Sequence, residues 1–489
     1  MAQMRIGGEQ VDAASGATTQ VSDPASGAVI GEAPRASAED VDHAVAAAAK
    51  AFAAWSRTDP GERAELLRKG ADAVEAERKA LAESLTAEQG KPTLEAMGEL
   101  NHFLGGLRYY AGLTTKVRGA YQELPSTFGP ASGQIVRRPL GVVAAIVPWN
   151  FPLTLLGNKL GPALVTGNTV VAKPADTTPL TTLRVAELLE GAGLPPGVLN
   201  VVTGTGPEAG EALVTHPRVR RVAFTGQTST GRRIAELAAP AFKRLSLELG
   251  GSDPTIVCPD ADLDEAVRNI TIGRYWNAGQ ACLAPKRAYV FAEVYDEFLE
   301  QLVGRVSRYE PGLGADKAEK PKIRMGPLHT APQREVLQDQ LDDAVARGAT
   351  VVLGAGNSSV PEGSRFREDG QFFAPTILTD VPHDARVARE ETFGPLLPVF
   401  RVGDLDEAIR LANDSDYGLG SSIWTTDARA IARATREIEA GITWVNQLHY
   451  GYDEMPFGGV KGSGFGKEHG VEALDEYVDL KSAVIGGLG

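Results

Sequence analysis

Cysteine is scarce: the 489 residues contain two, Cys258 and Cys282. A secreted chain of this length often carries more, joined as disulfides, so a disulfide scaffold is not expected. Histidine is sparse as well. His43, His102, His216, His329, His383, His449 and His469 show no zinc-type spacing to each other or to cysteine, and no metal site is expected. Basic charge is in deficit, with 49 Lys and Arg against 63 Asp and Glu and a net charge of −14. Nucleic-acid binding relies on Lys and Arg meeting phosphates, so that class is disfavoured. No apolar run approaches the roughly 20 residues that span a bilayer. The first ten residues lack the apolar core of a secretory signal, and a cytoplasmic location is expected.

The balance that remains, 43% hydrophobic and 23% charged, is that of a globular chain rather than a disordered one. At roughly 100–200 residues per domain, two or three domains are expected. Ser37-Ala38-Glu39-Asp40 predicts a capping box opening an Ala-rich helix to about Trp55. A second helical pattern runs over 61–89, with Gly90 as its stop. From Gly141 onward, strand patterns at 141–147, 169–172, 198–202, 219–225 and 244–249 alternate with helical ones at 154–164, 179–190, 208–215 and 231–238. Such alternation predicts a parallel sheet with crossover helices, whose ligands sit beyond the carboxyl ends of the strands. A second alternating set begins at Thr255, with a helix at 263–278 and strands near 288–290, 350–352 and 397–400. The polar 122–138 stretch reads as a linker or as a hairpin arm that pairs with another subunit.

Several residues stand where chemistry could use them. Cys282, in Gly279-Gln280-Ala281-Cys282, follows a helical pattern on a turn, where backbone N–H groups can activate a thiol; a lone cysteine is more often a buried hydrophobe, as Cys258 is expected to be. Glu248 ends an apolar strand before two glycines, a position for a general base, or simply an acid on an edge strand. Asn150 lies in the proline-braced loop Pro148-Trp149-Asn150-Phe151-Pro152, where its amide can donate to an oxyanion or merely order a turn. The Gly-rich turns at 204–210 and 224–231 suit close approach of a pyrophosphate to a helix start, though neither follows the usual Gly-x-Gly-x-x-Gly form. Lys173 and Asp176 end another strand, as ribose contacts or as a solvated turn.

In sequence order, the motifs Pro148-Trp149-Asn150-Phe151-Pro152, Lys173-Pro174-Ala175, Phe224-Thr225-Gly226, Glu248-Leu249-Gly250-Gly251, Gly279-Gln280-Ala281-Cys282, Glu391-Thr392-Phe393-Gly394-Pro395 and Pro456-Phe457-Gly458-Gly459 resemble the aldehyde dehydrogenase superfamily over nearly the whole chain. The resemblance implies an α/β fold: a Rossmann-like parallel-sheet NAD-binding domain over 1–121 and 141–250, an α/β catalytic domain over 251–460, and a small β oligomerisation arm from 122–140 and 468–489. It implies Cys282 as nucleophile, Glu248 as general base, Asn150 with the Cys282 N–H as oxyanion hole, and Lys159 with Glu468 as a proton relay. It places the cofactor against Val147, Pro148, Trp149, Lys173, Asp176, Gly206, Gly210, Phe224, Thr225, Gly226, Gln227, Leu249, Glu391 and Phe393. An acid at 176 should repel a 2′-phosphate, so NAD is expected, with some NADP use. A homodimer or homotetramer is implied.

The family resemblance also implies hydrolysis to the free acid, because CoA-acylating relatives commonly lack the base that Glu248 supplies. The chain departs from the family pattern at Ser252, where lysine is frequent, and at Gln227, where serine is usual. For the substrate, Gly441–Asn446 and Glu454–Gly459 resemble the aminobutyraldehyde and betaine aldehyde branch. Tyr275, Trp276, Tyr450 and Tyr452 offer aromatic faces, and Asp453 or Glu454 a counter-charge, for an ω-aminoaldehyde such as 4-aminobutyraldehyde. The alternatives are succinate semialdehyde, whose dehydrogenases often carry Arg where this chain has Asn158, a broad range of aliphatic and aromatic aldehydes, or a CoA-acylating semialdehyde dehydrogenase.

Overall fold

A computed structural model describes residues 2–125, 129–315, 319, 322–354 and 371–486. Its core is a pair of largely parallel sheets. The first has eight strands, in spatial order Glu9–Val11, Met4–Ile6, Leu199–Val201, Thr169–Lys173, Val142–Ile146, Val219–Thr225, Arg244–Glu248 and Gly464–Phe465. Its five central strands are parallel, and both flanks are antiparallel additions. In chain order those five run 3-2-1-4-5, so the direction of winding reverses between Val142–Ile146 and Val219–Thr225. Ligands of open α/β sheets bind beyond that reversal.

Alternate residues of the central strands feed two separate cores, as a sheet covered on both faces requires. Val143 and Ala145 pack with the helices Pro60–Ala76, Thr93–Gly112 and Pro152–Val165. Val142, Ala144 and Ile146 pack with Ala38–Trp55 and Thr228–Ala238 on the other side. The expected capping box is present, with Ser37 and Asp40 exchanging bonds. The single helical pattern over 61–89 is instead two helices, Pro60–Ala76 and Arg78–Gln89, broken at Glu77. The four strands before residue 35 and the helix Thr93–Gly112 are additions to the expected elements, although Leu100, Phe103, Leu104, Leu107 and Tyr110 recur at helical spacing and are buried.

The second sheet orders Thr350–Leu353, Thr376–Thr379, Leu396–Val402, Pro285–Phe291, Asp253–Val257, Gly420–Trp424 and Ile442–Val445, with only the first strand antiparallel. The chain crosses from one sheet to the other in four residues, from Glu248 at the end of one strand to Asp253 at the start of the next. That short crossing sets the carboxyl edge of the first sheet against the amino edge of the second. A third sheet of Ala120–Leu124, Ala131–Pro139 and Val478–Gly486 stands apart as an antiparallel arm. It overlaps the stretches 122–140 and 468–489 expected to serve oligomerisation, of which 468–477 lie outside the sheet and 126–128 and 487–489 outside the described residues. No described helix is long and apolar enough to cross a membrane.

Candidate active site

The turn that carries Cys282 differs from the sequence expectation. The helix expected over 263–278 stops at Tyr275, and Asn277, Ala278 and Gly279 all have left-handed backbone, with φ of 50°, 53° and 74°. Two consecutive non-glycine residues in that region store strain, and the surroundings must hold them there. They do. Glu95 accepts from the Asn277 N–H at 2.7 Å, and the Gln280 side chain donates back to the Asn277 carbonyl at 2.9 Å. Gly279 is required on space as well: a Cβ would stand 2.3 Å from the Gly394 carbonyl oxygen. The strained turn delivers Cys282, partly buried, between this 3-10 segment and the strand Pro285–Phe291. The Lys286 ammonium donates to the Cys282 carbonyl. Cys258 is buried and pushed up to about 12 by burial, as its place in an apolar strand end suggested.

Asn150 meets the same turn. Its side-chain amide donates to the Gln280 carbonyl at 3.1 Å, which fixes one N–H and leaves the second for another acceptor. Its backbone carbonyl is held by Lys91 Nζ at 2.6 Å and Asn277 Nδ2 at 3.0 Å. Lys91 in turn pairs with Glu99 at 2.5 Å, both wholly buried. None of Lys91, Glu95, Glu99 or Asn277 was singled out in the sequence. Lys91 sits in Gly90-Lys91-Pro92, which reads only as a helix stop.

Glu248 is 3% exposed, and neither carboxylate oxygen has a hydrogen bond of good geometry, although the Cys282 thiol is close enough to act on its charge. Burial first, then the charge of Glu468, pushes its carboxyl up to about 8, against the pull of Lys159. Burial, then the Glu248 charge, raises the Cys282 thiol well above its usual range, while Lys286 opposes the shift. Both groups are therefore neutral in the resting site, with the acid placed to take a proton when ionised. Behind them, Lys159 Nζ reaches Glu468 Oε1 and Thr225 Oγ1, each at 2.6 Å. Asn158 also donates to Glu468 at 3.1 Å and so is committed to this pair.

Apart from Glu391 and Phe393, which precede the second-sheet strand Leu396–Val402, the expected cofactor residues lie at or after strand ends on the first sheet's carboxyl edge. Val147, Pro148 and Trp149 follow the strand Val142–Ile146. Phe224 and Thr225 end the neighbouring strand, and Gly226 and Gln227 turn into the helix Thr228–Ala238, whose start has no side-chain cap. A Cβ on Gly226 would collide with the Phe224 ring at 2.5 Å. Leu249 packs over Gly231 of that helix. Lys173 is buried, and its ammonium is lowered to about 8 by burial, partly offset by Asp176. Gly206 and Gly210 bound one turn of π-helix; Gly206 faces open space, and Gly210 abuts the Lys173 stem. Trp149 packs edge-on to Phe393 at 5.6 Å. Glu391 accepts from the Gly251 N–H at 3.1 Å and lies 3.3 Å from Lys286. Small residues at the turns, one buried lysine at a strand end and an uncapped helix start fit an extended dinucleotide diphosphate.

Of the aromatic residues read as a possible cage, Tyr275 is fully buried and donates to the Thr376 carbonyl, so it is core rather than cleft. Trp276 lies against Gly98 of the helix Thr93–Gly112, and Tyr450 is exposed. Ser252 uses its carbonyl, which accepts two bonds from the buried Arg287 guanidinium.

The sequence model of the Aldehyde dehydrogenase family matches residues 11–483. The chain is 39% identical to the glutarate-semialdehyde dehydrogenase of Pseudomonas aeruginosa, over 99% of this chain and 98% of that one. It is 38% identical to the NADP(+) succinate-semialdehyde dehydrogenase of Escherichia coli, over 99% and 98%. The betaine aldehyde dehydrogenase of Staphylococcus aureus, solved with NAD+, superposes with a TM-score of 0.93 at 36% identity, over 99% and 97%.

Proposed function

The chain belongs to the aldehyde dehydrogenase family and is an NAD(P)-dependent oxidoreductase acting on aldehydes; from that premise we propose that it converts its aldehyde to the free acid through a thioester on Cys282. The observation that carries this reading is a buried Glu248, raised to about 8, beside the Cys282 thiol. Ionised Glu248 takes the thiol proton, and the thiolate attacks the aldehyde carbonyl. The free N–H of the Asn150 amide and the Cys282 backbone N–H receive the oxyanion. NAD(P), when bound, would be held by Lys173, Gly206, Gly210, Gly226, Glu391 and Phe393 and would supply the hydride acceptor. Glu248 passes the thiol proton on through Lys159 and Glu468 and, ionised again, takes a proton from the water that cleaves the thioester. Coenzyme A has no part in this reaction.

For the substrate, the relatives favour the semialdehyde reading over the ω-aminoaldehyde, since two enzymes nearly 40% identical over full length act on four- and five-carbon aldehydes that end in a carboxylate. Burial of Tyr275 also removes one wall of the ammonium cage. A second reading, an uncharged aldehyde, draws on Asn158, which is tied to Glu468 and offers no cationic anchor. Initial rates with succinate semialdehyde, glutarate semialdehyde, 4-aminobutyraldehyde and benzaldehyde separate these: the highest kcat/KM belongs to a semialdehyde on the first reading and to benzaldehyde on the second. Preference for 4-aminobutyraldehyde overturns both.

The domain division over 1–121 with 141–250 and over 251–460 corresponds to the two sheets in this proposal. The arm carries exposed Tyr121, Leu480 and Val484, apolar surface that suits subunit contact in a homodimer or homotetramer.

A further inference from the structure

His102, Asp453 and His469 come from three distant parts of the chain, yet their ligand atoms all lie within 4.8 Å of one another. His102 stands on the helix Thr93–Gly112, Asp453 on the loop after the strand Ile442–Val445, and His469 on the turn after Glu468. His469 Nδ1 is 3.3 Å from Asp453 Oδ1, and His102 Nε2 is 4.0 Å from the same oxygen. Despite that proximity, His469 Nδ1 and Asp453 Oδ1 are buried without a hydrogen bond. His469 is only 3% exposed and sits at a positive φ of 57°, so the chain accepts strain to aim this ring inward. Two buried polar atoms facing each other unsatisfied are costly unless a third party joins them.

We propose that His102, Asp453 and His469 form a binding site for a divalent transition-metal ion of the zinc class. Two imidazoles and one carboxylate are a ligand set such ions take, with bonds near 2.0–2.2 Å and ligand atoms about 3.3 Å apart in a tetrahedron. The His469–Asp453 pair already has that separation. His102 is partly exposed and stacked on the exposed Tyr450 ring at 5.0 Å, and a small pivot of its ring closes the remaining gap. The surroundings suit a cation: Glu454 and Glu472 add their charge to that of Asp453 around Tyr109. The three protein ligands leave a fourth position toward solvent on the Tyr450 side.

The site lies just behind the wall of the catalytic pocket. Phe457 meets His469 edge-on at 6.1 Å and packs in the small apolar cluster that includes Cys282. A bound ion would tie the loop around Tyr450–Asp453 to the helix Thr93–Gly112 and to the turn next to Glu468.

Cobalt(II) as a spectroscopic stand-in tests this on the full-length protein with Cys282→Ser, which removes the partly exposed thiol as a rival ligand. One equivalent should bind with visible d–d bands and without thiolate charge-transfer absorption. His102→Ala and Asp453→Asn should each weaken binding at least tenfold, while thermal melts without metal confirm that both variants fold. Absence of cobalt binding, or binding that neither substitution weakens, overturns the proposal.

Discussion

The Lys91 ammonium lies 2.6 Å from the backbone carbonyl of Asn150, and both residues are buried. The same ammonium pairs with Glu99 and lies over the Phe151 ring at 3.9 Å. Burial lowers its pKa while the Glu99 charge raises it, so the pair, rather than the lysine alone, keeps a cation in this spot. The consequence is positional: the loop that presents the Asn150 amide is pinned from beneath by a charge.

Lys91→Met should therefore act twice. It strands Glu99 as a buried charge, a change that costs about 3–5 kcal/mol of stability, and it frees the Asn150 loop. Adding Glu99→Gln removes the stranded charge. The double variant should regain most of its stability in urea titrations while kcat stays depressed at least about tenfold. Recovery of both would show that Lys91 acts through stability alone.

Glu248 sets the pH profile. Its carboxyl is raised to about 8, so below that pH it is mostly protonated and cannot take a proton from water. Turnover should rise with pH and level off above about 8. Glu468 raises Glu248 and Lys159 lowers it, so Glu468→Gln should move the midpoint down and Lys159→Met should move it up. Opposite shifts in kcat against pH are the signature; shifts of one sign would break the electrostatic link. Glu248→Gln should cost at least about 100-fold in steady-state turnover.

The two thiols should separate under alkylation. Cys282 is partly exposed, and its proton has a neighbouring acceptor in Glu248; Cys258 is buried and pushed up to about 12. Iodoacetamide at pH 8.5 should label one thiol per chain, detected by intact mass. Cys258→Ser should keep that label and full activity, and Cys282→Ala should lose both. Label on Cys258 in the native protein would contradict the burial.

Much of this site was legible because its chemistry sits in short local motifs at strand ends. The strand 219–225 and the turns that carry Asn150, Glu248 and Cys282 are visible from hydrophobic period and proline and glycine placement, while the roles of those three residues follow only from the family resemblance. What stayed hidden is non-local. Lys91 supports Asn150 across 59 residues, and Glu95 holds Asn277 across 182. Nothing in either neighbourhood marks such a partner. The left-handed turn at Asn277 and Ala278 extends a helical pattern in sequence; tertiary contacts impose the break. The His102, Asp453 and His469 cluster is invisible for the same reason, since no two of its members share a spacing that metals select.

Cofactor choice turns on Asp176. Its carboxylate follows Lys173 at the strand end and contributes to the charge felt by Arg35, which forms an exposed two-pronged pair with Glu208. An acid here should repel the 2′-phosphate of NADP and accept the ribose hydroxyls of NAD. NAD should give the higher kcat/KM in the native enzyme. Asp176→Ala should reduce the ratio of kcat/KM for NAD over NADP by about tenfold, equivalent to about 1.4 kcal/mol of repulsion removed. Arg35, which feels the Asp176 charge, would then be available to a 2′-phosphate, and Glu208→Gln, which frees it from its partner, should shift the ratio further toward NADP. A native enzyme faster with NADP, or a ratio unmoved by Asp176→Ala, would place the discrimination elsewhere.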